Sequence, residues 1–233
     1  MIVGSGLLAK AFARHFDADS CIWIHAAGVS NSSCTDTQEF ERDRLRLLDS
    51  LQTGLHADVF VYFSTCSIGD PTAVNSAYVR HKVAMEGLVS AHPSFIITRL
   101  PQLAGQTPNP HTLLNYLYAR VSRSESFGVW KNATRNIIDV EDVVAILTQL
   151  IKDTEARQLT INIANPVSYP ITNIVAAMEK ATGKTAIIEL IDDGAAYEID
   201  ISQIRPIINK LGLLFDPTYL PCVIEKYFGE SRK

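Results

Sequence analysis

Short apolar runs alternate with longer stretches in which apolar positions recur every three or four residues. The segments Met1–Val3, Cys21–Gly28, Asp58–Ser64, Phe95–Leu100, Arg135–Val140 and Leu159–Ala164 have strand length and are rich in β-branched and aromatic residues. Between them the spacing predicts helices: one through Phe12 and Phe16, one over Thr37–Leu51 with Phe40, Leu47, Leu48 and Leu51 in phase, one over Ser76–Ser90 with Met85 and Val89, and one from Asp142 to Leu150. Acidic residues open that last helix, as its dipole favours. Strands apolar on both faces, each followed by a helix, predict an α/β fold with a parallel sheet covered on both sides. Beyond the loop Gln106–Pro110 the pattern predicts helices over His111–Val121, Tyr169–Ala181 (closed by Gly183), Ser202–Leu211 and Pro217–Phe228, and a strand over Ala186–Leu190.

Composition narrows the class. The 233 residues are 47% hydrophobic, enough for one core or two lobes that share one. A net charge of −4 with no basic run argues against nucleic acid and anionic membrane as partners. Cys21, Cys34, Cys66 and Cys222 are scattered with no CxxC pair, which suggests reduced thiols in a cytoplasmic protein. The six histidines lack metal-ligand spacing, so no metal is expected. No basic leader and no apolar run near ~18 residues is present, so neither secretion nor membrane spanning is supported.

Two constellations carry chemistry. Gly4-Ser5-Gly6-Leu7-Leu8-Ala9 stands between the first strand and its helix. Glycines there permit a tight turn and close backbone approach, Ala9 lets the helix pack on the strand, and the helix N-terminus offers N–H groups to a pyrophosphate. Next, the strand ending at Ser64-Thr65 precedes Tyr78 by thirteen residues, and Lys82 follows Tyr78 by four. A free tyrosine titrates near ~10. An ammonium one helical turn away on the same face is expected to favour the phenolate, and Thr65 to hold the oxygen that exchanges the proton. Alone, Tyr78 and Lys82 could be an ordinary amphipathic pair; the preceding strand and its hydroxyl favour the chemical reading.

With His25-Ala26-Ala27-Gly28, Phe63-Ser64-Thr65, Arg99-Leu100-Pro101 with Gly105, and Asn136-Ile137-Ile138-Asp139-Val140-Glu141-Asp142-Val143-Val144, these motifs give the chain a resemblance, over nearly its whole length, to the extended short-chain dehydrogenase/reductases, the NAD-dependent epimerase/dehydratase family. The resemblance implies a Rossmann-like doubly wound sheet with a small α/β substrate lobe: residues 1–105 and 136–165 as the dinucleotide-binding core, and 106–135 and 166–233 as the lobe. It implies Tyr78 as acid/base, Lys82 as its activator and ribose anchor, and Thr65 as the orienting hydroxyl. Gly4, Gly6, Leu7, Leu8, Ala26, Ala27, Gly28, Leu100 and Pro101 would join Tyr78 and Lys82 around NAD or NADP. The implied substrates are nucleotide-linked sugars, and the implied assembly is a homodimer through the helices starting at Thr37 and Ser76.

The chain departs from the family in two places. Only twenty residues separate Gly6 from Ala26, room for one helix and one strand, so the family's second and third strands are expected to be missing. The acidic ribose ligand has no clear counterpart, since Asp17 and Asp19 precede the wrong strand and read as helix-end or turn residues. A weakened adenosine site follows. Moreover, Cys66 and Ser67 stand where the dehydratases carry Asp and Glu, and neither is a good general acid at neutral pH, which disfavours dehydration.

Candidate substrate contacts are Cys66, Ser67, His111, Asn115 and Arg135. Cys66 reads either as an acid/base thiol or as a small buried hydrophobe. His111 reads as an acid/base or as a surface first-turn residue, and Arg135 as a diphosphate ligand or an exposed ion-pair partner. His25 reads as a hydrogen-bonded core histidine. Arg42 and Arg44, on a helix rich in both charges, read as a solvated face. The expected function is an NAD(P)-dependent reductase or epimerase of a nucleotide-linked sugar. The rival, motivated by the truncation, is a non-catalytic nucleotide-sensing or scaffold protein on a reduced dinucleotide fold.

Overall fold

The computed structural model describes residues 1–16, 21–153 and 158–229; Asp17 and Asp19 lie outside them. In chain order the elements are β1 (Ile2–Val3), α1 (Leu7–Phe16), β2 (Ile22–His25), α2 (Thr37–Thr53), β3 (Val59–Thr65), α3 (Ala77–Val89), β4 (Phe95–Leu100), β5 (Gln102–Ala104), α4 (Leu113–Ser122), β6 (Phe127–Trp130), β7 (Thr134–Asp139), α5 (Val140–Asp153), β8 (Leu159–Asn162), β9 (Ser168–Pro170), α6 (Ile171–Thr182), β10 (Ile188–Ile191), α7 (Arg205–Leu211) and α8 (Tyr219–Phe228). A 3-10 turn over Cys66–Gly69 follows β3.

The central sheet is parallel, in the order β1-β2-β3-β4-β8. All seven residues of β3 are buried, as an apolar central strand requires. Two layers of side chains cover the sheet. Phe12 and Phe16 of α1 share a cluster with Val143, Ile146, Leu147 and Leu150 of α5 on one face. Leu47 of α2 packs with Met85 and Val89 of α3 on the other. The sheet is therefore doubly wound, and β1 stands at its edge where the family would add two further strands.

This truncation has a topological consequence. The chain steps from β1 to β2, β3 and β4 in one direction, yet α1 lies on the face opposite α2 and α3. The β1-α1-β2 crossover thus has the opposite hand to the two that follow it, although one hand dominates such units. The segments leaving β1 and β2 go to opposite faces, and a crevice opens between the two strand ends, as in any doubly wound sheet where consecutive connections diverge.

The remaining elements form a second layer. Strands β5, β7 and β9 make a mixed three-stranded sheet, β6 and β10 a parallel pair, and α4, α6 and α8 enclose a core around Leu114, Leu117, Ile174, Met178 and Ile224. Helix α8 is clasped to the start of α5. Tyr219 Oη donates to Asp142 Oδ2 at 2.6 Å and accepts from the Asp139 N–H, while Lys226 Nζ reaches Asp139 and Glu141 at 2.7 Å.

Several boundaries move. Tyr169 and Pro170, expected to open a helix, instead pair antiparallel with Arg135 and Thr134 as part of β9, and α6 begins at Ile171. His111 lies before α4, whose N-cap is Thr112. Strands β5, β6 and β9 are additional to those expected.

Candidate functional site

A cavity of about 640 Å³ occupies the crevice above β1 and β2 and runs over the ends of β3 and β4. The Gly4-Ser5-Gly6 turn forms one wall. Gly4 has φ +130°, and a Cβ there would stand 2.6 Å from the Ala26 carbonyl oxygen, so only glycine lets the two strand ends approach. The first turn of α1 begins at Leu7, and Leu7 and Leu8 line the cavity beside the turn. Ala26, Ala27 and Gly28 form the facing wall, and Leu100 and Pro101 close the far side. A glycine-framed slot ending on a helix N-terminus suits a dinucleotide pyrophosphate, whose negative charge the helix dipole favours.

Thr65, Tyr78 and Lys82 converge on the same cavity, although they come from β3 and α3. Ser76 caps α3 by accepting the Val79 N–H, which fixes the helix start two residues before Tyr78. The Thr65 hydroxyl hydrogen-bonds Tyr78 and also accepts the Ser67 N–H at 3.1 Å. Tyr78 is 8% exposed and packs on Val29, Cys34 and Val79.

The electrostatics differ from the expectation. Burial pushes the Tyr78 phenol up to about 12, with the Thr65 hydrogen bond opposing it. Lys82 does not bond the phenol. Its Nζ donates to Tyr62 Oη at 3.3 Å and to the Phe63 carbonyl at 3.4 Å, 5.9 Å from the Tyr78 ring centre. The expected lowering is thus reversed, because desolvation of a largely buried ring outweighs an ammonium that points elsewhere. Burial also lowers Lys82, and Asp43 and Glu86 oppose that loss of charge.

Among the expected substrate contacts, Ser67 and His111 line the cavity. Cys66, Asn115 and Arg135 are not in its wall. Cys66 Sγ, 4% exposed, donates to the Arg99 carbonyl, and burial pushes its thiol up to about 12, so the small-hydrophobe reading fits. Asn115 Nδ2 is spent on the Thr107 and Asn109 carbonyls at 2.8 and 2.7 Å, bracing the loop rather than facing the cavity. Arg135 Nη1 donates to the Thr134 carbonyl at 2.7 Å. His25 is a core residue but not a hydrogen-bonded one: both ring nitrogens lack partners, and burial lowers it to about 4.

The sequence reading missed other parts of the wall. Arg46 of α2, with Ser30 and Ser32 of the segment after β2, lines the cavity, and Asn109 Nδ2 donates to Ser30 Oγ at 3.0 Å, joining two loops at its rim. Among the described residues no carboxylate lines the cavity, and Arg46 and Lys82 are the fixed charges in its wall. Arg46 had no readable signal within a helix of mixed charge.

The model of the NAD dependent epimerase/dehydratase family matches residues 3–164. A search of curated proteins found no match. Among solved structures, RMD from Pseudomonas aeruginosa complexed with NADPH superposes with a TM-score of 0.72 at 15% identity, covering 100% of this chain and 98% of that one. UDP-glucuronic acid 4-epimerase from Bacillus cereus in complex with NAD gives 0.72 at 18% identity, covering 95% and 75%. The dTDP-glucose 4,6-dehydratase from Bacillus anthracis in complex with NAD gives 0.68 at 16% identity, again covering 95% and 75%. At these identities the likeness is one of fold.

Proposed function

Because the chain belongs to the NAD dependent epimerase/dehydratase family, we propose that it is an NAD(P)-dependent enzyme acting on a nucleotide-linked sugar, with Tyr78 as the group that exchanges a proton with a sugar oxygen. The observation that carries this reading is the meeting of Thr65, Tyr78 and Lys82 with the Gly4–Gly6 turn and Ala26–Gly28 in one cavity. Such a set has no purpose in a scaffold, which argues against the non-catalytic reading.

The nicotinamide cofactor supplies the hydride when bound. Gly4, Gly6, Leu7 and Leu8 would hold its pyrophosphate, Ala26–Gly28 its middle, and Leu100 and Pro101 its nicotinamide end. The chain's own residues do the rest. Thr65 and Tyr78 hold the sugar oxygen between their hydroxyls, and the apolar wall around Tyr78 excludes water. Tyr78 gives its proton to that oxygen in reduction and takes one in oxidation. Lys82 anchors the ribose side and supplies positive charge below the oxygen. Ser67 and His111 face the sugar, and the layer around α4, α6 and α8 forms the substrate lobe.

Reduction is favoured over epimerisation. A phenol held near about 12 is an available acid and a scarce base at neutral pH. An epimerase also has to retain its cofactor between two half-reactions, and the shortened sheet offers little adenosine shelf. A screen of nucleotide-linked keto-sugars with NADH and NADPH tests the reading. Oxidation of either nucleotide that requires both sugar and Tyr78 supports it, and no turnover with any member of the class overturns it.

A further inference from the structure

Gly28 has no side chain, and two buried charges share the space that a side chain would fill. A Cβ at Gly28 would stand 3.4 Å from Asp43 Oδ1 and 3.4 Å from Lys82 Nζ. The carboxylate and the ammonium therefore border the same side-chain-sized gap behind the cavity wall, no farther apart than twice that distance and outside direct ion-pair contact. Asp43 is 3% exposed. Its Oδ2 is committed, accepting the Val29 N–H at 3.2 Å and His81 Nε2 at 2.8 Å. Its Oδ1 has no hydrogen-bond partner. His81 is held flat against Phe40, with ring centres 4.5 Å apart, so the carboxylate is gripped between α2 and α3.

Lys82 is 5% exposed and bonds two neutral oxygens, both at long range. An ammonium in such surroundings sheds its proton unless an anion compensates it. Glu86 is close, but Arg99 engages it with two bonds at 2.9 and 2.6 Å. Asp43 is the neighbouring carboxylate with an oxygen to spare. The other titratable or charged groups around the pair are His25 on β2, Arg46 on α2, Tyr62 on β3, and Tyr78 and His81 on α3.

We propose that Asp43 is a positioning residue for the reaction: it is the fixed counter-ion of Lys82, set in place by His81 and the Val29 N–H, and it acts on the chemistry only through that lysine. The inference rests on the reading of Thr65, Tyr78 and Lys82 given above. One carboxylate thereby ties together the loop after β2, α2 and the helix that carries Tyr78. It also accounts for an acid on the inward face of α2, in phase with Leu47 and Ser50, where the helical pattern calls for an apolar residue.

The test reads Lys82 directly. In protein labelled with carbon-13 lysine, the Cε resonance of Lys82, assigned by its loss in Lys82→Arg, reports the titration of the ammonium. Asp43→Asn keeps the shape and removes the charge. The expected result is a Lys82 midpoint at least one pH unit below that of the wild type, with the alkaline limb of kcat/KM moving by the same amount, substantial recovery of both in Asp43→Glu, and a smaller shift in the same direction in His81→Gln. An unmoved midpoint overturns the pairing. Asp43→Ser, smaller than the wild-type side chain, serves as a second neutral variant with the same two outcomes. The two failures are distinguishable. An unmoved midpoint alongside an inactive Tyr78→Phe ends the role of Asp43 and leaves the reaction standing. A moved midpoint alongside a fully active Tyr78→Phe ends the reaction reading, and with it any catalytic meaning of the pair.

Discussion

Replacing Tyr78 by phenylalanine removes one oxygen and asks whether the phenol moves a proton. A positioned acid contributes about 10²–10⁴-fold to a rate, or about 3–5 kcal/mol of barrier. The structural side effect is smaller. The Tyr78 hydroxyl bonds Thr65; when the phenol oxygen is gone Thr65 Oγ still accepts the Ser67 N–H, and its own O–H, which lines the cavity, loses one partner. Loss of one such bond costs about 1 kcal/mol, a few degrees in Tm for a chain of this size. The ring stays against Val29 and Val79. The assay is NAD(P)H oxidation with the sugar found in the substrate screen, with kcat and KM determined separately. The expected result is a fall in kcat of at least about 10², KM within about threefold, and a Tm within about 4 °C of the wild type, the pattern of a transition-state interaction. A kcat within threefold of the wild type refutes the reasoning.

The pH profile supplies a second arm of the same prediction. Reduction requires the phenol protonated. Burial pushes Tyr78 up to about 12, so its protonated form persists as pH rises through the range where free tyrosine would ionise. Tyr78 therefore imposes no alkaline loss on reduction below about pH 11, and an earlier limb belongs to Lys82. Oxidation requires the phenolate, only about 10⁻⁵ of the population at pH 7, so its rate should climb about tenfold per pH unit until another group intervenes.

Among the described residues Arg46 and Lys82 are the fixed charges of a cavity wall with no carboxylate; Arg46→Ala is expected to weaken NADPH about fivefold, the scale of one exposed ion pair, and NADH less than twofold by calorimetry, whereas equal losses would mean that Arg46 does not read the adenosine phosphate. His25 is fully buried and lowered to about 4, while the unfolded chain's histidine takes up its proton near ~6.5, so the stability held above pH 6.5 should fall by up to roughly 3 kcal/mol as pH drops toward 4. Urea titrations at pH 7 and 4.5 measure the loss, and His25→Leu should flatten it; the same slope in both proteins would exclude His25 as the cause. Leu45 of α2 and Val83 of α3 are 53% and 48% exposed on the faces expected to pair in a homodimer; light scattering is expected to give a dimer that Val83→Lys dissociates, and a monomeric wild type at micromolar concentration would end that proposal.

Much of the fold was legible because its signals are local. β3 is apolar from Val59 to Phe63 and buried along its whole length, and a central parallel strand needs no other information. The missing strands could be read from spacing alone, since twenty residues between Gly6 and Ala26 hold one helix and one strand. The strands that were missed are three or four residues long and owe their pairing to distant segments: β9 to Thr134–Asn136, and β6 to a strand sixty residues onward. The helical spacing of Ile171, Ile174, Val175 and Met178 begins only at Ile171 and Tyr169 is out of phase with it, so a helix opened at Tyr169 overruns residues whose backbone the antiparallel pair claims. The cavity's glycines, Thr65 and Tyr78 were visible because each lies at a strand end or a helix start, where residue type and backbone role coincide.

Charge was the poorly legible part, for a physical reason. The pKa of a group depends on what encloses it, and enclosure is set by segments far away in sequence. A lysine four residues after a tyrosine shares its helical face, yet Lys82 turns to Tyr62 and Phe63 on β3, and the phenol is governed by its own burial. Asp43 lies between Arg42 and Arg44 on a helix that reads as solvated, and only its phase with Leu47 and Ser50 betrays that it points inward. The opposite hand of the first crossover makes the difference between these cases intelligible. With α1 sent to one face and α2 to the other, the glycine turn and the loop after β2 diverge from neighbouring strands, and the crevice between them persists without the two lost strands. The glycine-framed slot needs only that divergence, so it is present and readable from its own residues. The charges at the back of the slot depend on α2 packing against α3 across Gly28, and that packing is a property of the assembled sheet, not of any stretch of sequence.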